Sequence, residues 1–219
     1  MHPEPSAGTR PDTPSVPPVR VGSAPCSWGV WFADDPQQTP WHRFLDEVAE
    51  AGYRWIELGP YGYLPTDAER LRAETARRGL SVSAGTVFTA LHRGPAVWEE
   101  TWREVSQVAA LTQATGAGHL VVIPEFWRDP ATGDQVDSPT LTAAQWRDLA
   151  GGLERLGRRV REEYGLRIVV HPHADTHVDT EENVVRLLDA TDPDAVRLCL
   201  DTGHYAYCGG DSVKLIETY

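Results

Sequence analysis

Apolar and polar residues are arranged along this chain in two textures: short apolar runs, and longer stretches in which apolar positions recur every three or four residues. Runs of four to eight apolar residues bounded by turn residues predict strands, and the longer period predicts amphipathic helices. The predicted strands are 19–24, 53–58, 80–87, 119–123, 166–170 and 196–200. The first predicted helix, 41–51, puts Phe44, Leu45 and Val48 on one face and stops at Gly52. Thr66 with Glu69 has the spacing of a capping box for a second helix ending at Arg78-Gly79. A third, 95–115, carries Trp98, Trp102, Val105 and Ala109 toward the sheet and closes at Gly116. The fourth and fifth span 142–164, before Gly165, and about 180–190, and a last one follows Gly209-Gly210. Six strand–helix units in regular alternation predict a parallel sheet, either open and doubly wound or closed into a barrel. No G-x-G-x-x-G follows the first strand, so the dinucleotide-binding form lacks its usual support. In both architectures ligands gather at the C-terminal ends of the strands.

Composition narrows the function more than the fold. The 219 residues, 41% hydrophobic, suffice for one globular domain with a real core. Residues 1–19, with six prolines among Ser, Thr, Gly and Ala, are expected to be a disordered tail, leaving 20–219 as the folded domain. A net charge of −12, with a single lysine at Lys214, argues against tracking a nucleic-acid backbone. No apolar stretch is long enough to span a membrane and no secretory signal opens the chain, so a cytoplasmic protein is expected. Cys26, Cys199 and Cys208 lack paired spacing, which indicates neither a disulfide framework nor a zinc knuckle.

Glu57, Glu125, His171 and Asp201 each fall at the end of a different apolar run, so a parallel fold brings all four to one rim. Four of the eight histidines lie between positions 171 and 204. His171 and His173, two apart, share one face of an extended chain. Such a nitrogen and oxygen donor set suits a divalent metal and Lewis-acid chemistry. The plainer alternative makes Asp201-Thr202-Gly203 an Asx-type turn with His204 bonded locally, and His177 is read as structural. Trp28, Trp31 and Trp127 lie in loops where they either stack on a sugar or pack locally, and Tyr61, Tyr63 and Phe126 share that ambiguity.

Four segments carry a family resemblance: A-P-C-S-W-G-V at 24–30, I-E-L-G-P-Y-G-Y-L-P at 56–65, H-P-H at 171–173 and D-T-G-H at 201–204. Together they resemble the xylose isomerase-like TIM barrel superfamily of sugar isomerases and epimerases, and within it the inosose dehydratase branch. The resemblance implies a (β/α)8 TIM barrel with one divalent metal ion (Mn, Mg, Co or Zn) at the C-terminal rim. It implies metal ligands at His171, Asp201 and His204 and catalysis by Glu57, Glu125 and His171; Trp28 and Trp127, from their loop positions, and His173 and His204 are the expected substrate contacts. Where epimerases of the family place a Glu at the fifth strand end, this chain has His171. Family members continue into a seventh strand with a His in an H-x-K-D-like stretch and an eighth with a Glu. The chain has about six of the eight units, so the expectation is a fragment of a longer protein.

The reading that follows is a metal-dependent enzyme that removes a proton beside the carbonyl of a small polyhydroxylated substrate, as an isomerase, an epimerase or an inosose-type dehydratase. The rivals are an endonuclease IV-like nuclease on abasic DNA, disfavoured by the charge, and a non-catalytic sugar-binding fragment. No nucleic-acid or membrane partner is expected, and a homo-oligomer is allowed.

Overall fold

The computed structural model describes residues 19–219. The segment expected to be a disordered tail therefore lies outside the described residues, except for Val19.

Six strands, β1 (Gly22–Ser23), β2 (Trp55–Glu57), β3 (Ser81–Thr89), β4 (His119–Pro124), β5 (Arg167–Val170) and β6 (Val196–Leu198), form one all-parallel sheet. Each strand is hydrogen-bonded to the next in sequence. A doubly wound sheet reverses its strand order at a switch point; here the order runs β1 to β6 without reversal, the winding of a barrel. The helices are α1 (Trp41–Glu50), α2 (Ala68–Ala76), α3 (Trp98–Ala114), α4 (Ala143–Tyr164), α5 (Glu181–Ala190), α6 (Thr202–Tyr207) and α7 (Ser212–Thr218).

The six predicted strands all form, with shifted ends. β1 is two residues where six were expected, because Ala24 leads into a 3-10 turn at Pro25–Trp28 and Pro25 has no N–H to offer a neighbour. β3 runs two residues further, to Thr89. The cap of α2 is Asp67, whose side chain accepts from the Arg70 N–H, and not Thr66. The capping box belongs to α4, where Thr142 and Gln145 bond each other's backbone. Trp98 and Trp102 stack nearly parallel, 6.4 Å apart, with the guanidinium groups of Arg155 and Arg159 from α4 over their faces. They thus seal the α3–α4 seam as well as the core behind the sheet.

Side-chain alternation sorts the strands into two faces. Leu120, Val122, Ile168, Val170 and Val196 join the large core under α3, α4 and α5. A second core gathers Phe44, Leu45, Val48, Ile56, Leu58 and Leu71 under α1 and α2. The opposite, inner face holds Ala84, Val121 and Ile123, with Val169 and Cys199 against them. Two glycines let helices sit close. A Cβ on Gly85 would lie 2.2 Å from Oγ1 of Thr112 in α3, and one on Gly157 of α4 would lie 2.1 Å from the carbonyl oxygen of Ala195. Among the described residues no helix is long and apolar enough to cross a membrane.

Candidate active site

The inner-face alternation, carried past the last paired residues, brings His171 and His173 after β5 and Asp201 after β6 to the C-terminal rim. His171 is held there by its backbone N–H, which donates to the Val122 carbonyl at 2.9 Å. Asp201 caps α6: its Oδ1 accepts the His204 N–H at 2.7 Å, and the first turn of α6 then carries His204 back over the strand ends. The Asx-type reading of Asp201 is thus correct for one oxygen and leaves the carboxylate on the rim.

One ligand nitrogen from each of His171, His173 and His204 lies within 4.8 Å of the other two. The ring centres of His173 and His204 lie 3.7 Å apart with the planes tilted by 35°, and His171 stands 5.6 Å and 5.7 Å from them. His173 Nδ1 is 2.8 Å from the Ala174 carbonyl, an acceptor only, so Nδ1 carries the proton and Nε2 keeps its lone pair. Burial pushes the His171 pKa down to about 4, against the pull of Asp201 and with help from the two other imidazoles. Burial likewise lowers His173. Burial raises the Asp201 carboxyl, but the His204 N–H and the nearby imidazoles outweigh it and the net shift is downward. Imidazole nitrogens of His171 and His173 whose protonation burial disfavours, beside a carboxylate, are donors of the kind a divalent cation needs, and the set fits one.

Glu57 ends β2 on the same inner face, where the register slips at Ile56/Glu57 and pairs Glu57 with Ala84. Thr86 of β3 donates a hydrogen bond to its Oε1. Burial lifts the Glu57 pKa and the Thr86 bond only partly offsets this. Burial, then Glu57 and Asp201, push the Cys199 thiol up to about 11.

The other expected site residues are placed differently. Glu125 is not with the three imidazoles: Arg93 lies 2.6 Å from its Oε2, and it faces His92 and Asp137. Trp28 is taken up in packing, its indole N–H donating to Glu47 of α1 at 2.7 Å and its ring edge-on to Phe44. Trp127 sits under the Arg128 guanidinium, 4.7 Å from its ring centre. The aromatic surface beside the imidazoles is instead Phe126, edge-on to His173 at 4.9 Å, and Phe88, 5.7 Å from Phe126 and half exposed. Phe88 lies one residue past the predicted 80–87 strand; its parity with Ala84 and Thr86 marks it as the last inner-facing residue of β3.

This fold and rim define a class. The chain belongs to the xylose isomerase-like TIM barrel family, whose model matches residues 45–218. Among curated proteins it is 32% identical over 207 residues to the inosose dehydratase of Lacticaseibacillus casei, covering 92% of this chain and 67% of that protein. It is 31% identical to the inosose dehydratase of Geobacillus kaustophilus, covering 94% and 67%. The chain therefore spans about two thirds of the length of these relatives. A solved structure of the IOLI protein with a binding zinc atom superposes with a TM-score of 0.69 at 16% identity, over 88% of this chain and 66% of that one, a likeness of fold. The expected family, fold and enzyme class, a sugar-modifying enzyme of the isomerase and dehydratase type, are borne out.

Proposed function

We propose that the chain carries the metal-binding half of an inosose-type dehydratase site, acting on a small cyclic polyhydroxy ketone. The observation that carries this reading is the convergence of His171, His173 and His204 with Asp201 at the ends of β5 and β6. These residues would hold a divalent ion, of which Zn, Mn, Co and Mg are the expected species. Such an ion, when bound, supplies the Lewis acidity that makes the C–H beside a bound carbonyl acidic.

The chain's own residues do the rest. Phe88 and Phe126 offer a flat apolar surface to the C–H face of the substrate ring, next to the polar imidazoles. Glu57, with its pKa lifted toward the working range, takes the proton from the carbon next to the carbonyl. The protonated carboxyl then gives that proton to the departing hydroxyl. A C–H and a C–O bond break, a C=C bond forms and water leaves. Reprotonation at carbon instead would give isomerisation or epimerisation. A net charge of −12 disfavours a nucleic-acid partner in this reading. Close relatives at about 30% identity favour dehydration over its alternatives.

The test is metal analysis of the purified chain together with turnover of a keto-inositol, followed by loss of water and the rise of conjugated-carbonyl absorbance. Bound divalent metal, and turnover lost to chelator and to Glu57→Gln, are expected. Absence of both metal uptake and turnover after incubation with each of the four ions overturns the proposal.

A further inference from the structure

A second cluster of buried imidazoles is built from the loops after β3, β4 and β5. His92 sits in the 3-10 turn Leu91–Arg93 after β3, Asp137 in the loop after β4, and His177 in the loop after β5. His92 is 1% exposed and His177 2%, and their rings are 4.5 Å apart. His92 Nε2 is 3.6 Å from Oδ2 of Asp137 and 3.9 Å from Oε2 of Glu125, too far for a hydrogen bond to either. Both ring nitrogens of His92 and Nδ1 of His177 are buried without a partner. Buried polar atoms are nearly always satisfied, and three orphans in one cluster require an explanation.

The remaining bonds fix the state of each group. His177 Nε2 is 2.9 Å from the Ser138 carbonyl, which only accepts, so Nε2 carries the proton and the lone pair is on the orphaned Nδ1. A metal-bound histidine typically donates its other ring N–H to such an acceptor. Asp137 Oδ1 takes the Ser138 N–H at 2.7 Å, leaving Oδ2 toward His92. That N–H holds the Asp137 carboxyl below its usual range, while burial lowers His92, with His177 and Arg93 adding to the effect. One ligand atom from each of the three residues lies within 4.8 Å of the others. Tetrahedral zinc with bonds of about 2.0–2.2 Å spaces its ligands about 3.3–3.5 Å apart, close to the 3.6 Å between His92 and Asp137.

We propose that His92, Asp137 and His177 form a second divalent-cation site, of zinc type, built from the loops after β3, β4 and β5. It shares no ligand with the His171, His173, His204 and Asp201 set and does not depend on the function proposed for that set. Glu125 Oε2, paired with the charge of Arg93 but itself buried without a hydrogen bond and 3.9 Å from His92 Nε2, borders the three ligands and is not counted among them.

Zinc and cobalt uptake by the full chain, after stripping with chelator, tests this. Asp137→Asn is the diagnostic variant, because it keeps size and is only partly buried; His177→Gln is the second, and circular dichroism checks the fold of both. The expected result is one zinc equivalent lost in Asp137→Asn, or bound at least tenfold more weakly, with loss of the visible bands of a tetrahedral cobalt site. That equivalent stays in place in His171→Ala/His204→Ala. If Asp137→Asn and His177→Gln keep the full wild-type zinc content and affinity, or if His171→Ala/His204→Ala binds no zinc at all, the second site is overturned. The first set is judged separately, by the metal that the His171 and His204 variants lose.

Discussion

At Asp201 one side chain has two jobs that substitution separates. Its Oδ1 caps α6 and its charge serves the imidazoles. Asn caps a helix about as well as Asp, so Asp201→Asn should leave thermal stability nearly unchanged while abolishing metal retention; Asp201→Ala should lose metal and also about 1 kcal/mol of stability. Wild-type metal content in Asp201→Asn, read by elemental analysis, would show that the residue is only a cap. A Cβ on the neighbouring Gly203 would stand 3.2 Å from that same Oδ1, so Gly203→Ala should weaken metal binding through the cap without touching a ligand. Glu57 offers a pH signature. Its folded pKa is raised by burial above the ordinary 4.5, so the carboxyl favours folding below that value and the benefit is lost as pH rises through the folded pKa. Glu57→Gln, with no charge to bury, should therefore melt higher than the parent above pH 4.5, by a margin that grows with pH, while turnover falls about 10²–10⁴-fold. Parallel melting profiles across pH would remove the basis for the raised pKa. These carboxylates were visible in the sequence because each ends an apolar run. What was not visible is that Glu125, by the same rule, is captured by Arg93, since a partner arriving from the loop after β3 leaves no periodic trace.

At the level of elements, helix ends were readable where a glycine follows, as at Gly165 after α4, which takes the left-handed conformation. Caps were harder. Thr66 and Glu69 have box spacing, yet Asp67 accepts the Arg70 N–H, because side chains one residue apart compete for the same first-turn donors. α6 was hidden for a related reason: D-T-G-H reads as a turn, and only the Asp201 cap and the burial of Tyr205 beneath it turn six residues into a helix. α4 shows how little room the packing leaves. Its residues Leu149, Leu153, Leu156 and Val160 recur at helical spacing against the sheet, and Gly157 lets the helix approach the Ala195 backbone. Gly157→Ala gains helix propensity but places a methyl group where a carbonyl oxygen already sits. The clash should dominate, with a net loss of about 1–3 kcal/mol in urea unfolding. A stabilised variant would mean that α4 slides freely on β5 and β6.

For the molecule as a whole, the order of strands was the decisive feature that the sequence left open and the structure settled. Six alternating units are compatible with two windings; hydrogen bonding of every strand to its successor selects the barrel. The chemistry of the rim follows from that winding, because it sets the ends of β5 and β6 side by side and so brings His171, His173 and His204 together. The winding also has a cost. Among the described residues β1 and β6 each pair on one side only, and the inner face buries just Ala84, Val121 and Ile123 fully. Open strand edges pair with other chains, and a thin inner core does little to oppose it. A polypeptide of residues 19–219 alone is thus expected to self-associate reversibly as its concentration rises, seen as a growing apparent mass in sedimentation. Extending that polypeptide past Tyr219 with the last third of an inosose dehydratase relative should cap the β6 edge, cover the inner face and give a concentration-independent mass. If association is unchanged by that extension but falls when the exposed Tyr207, Val213 and Ile216 of α6 and α7 are made polar, the helical surface is the cause and the sheet edges are already protected.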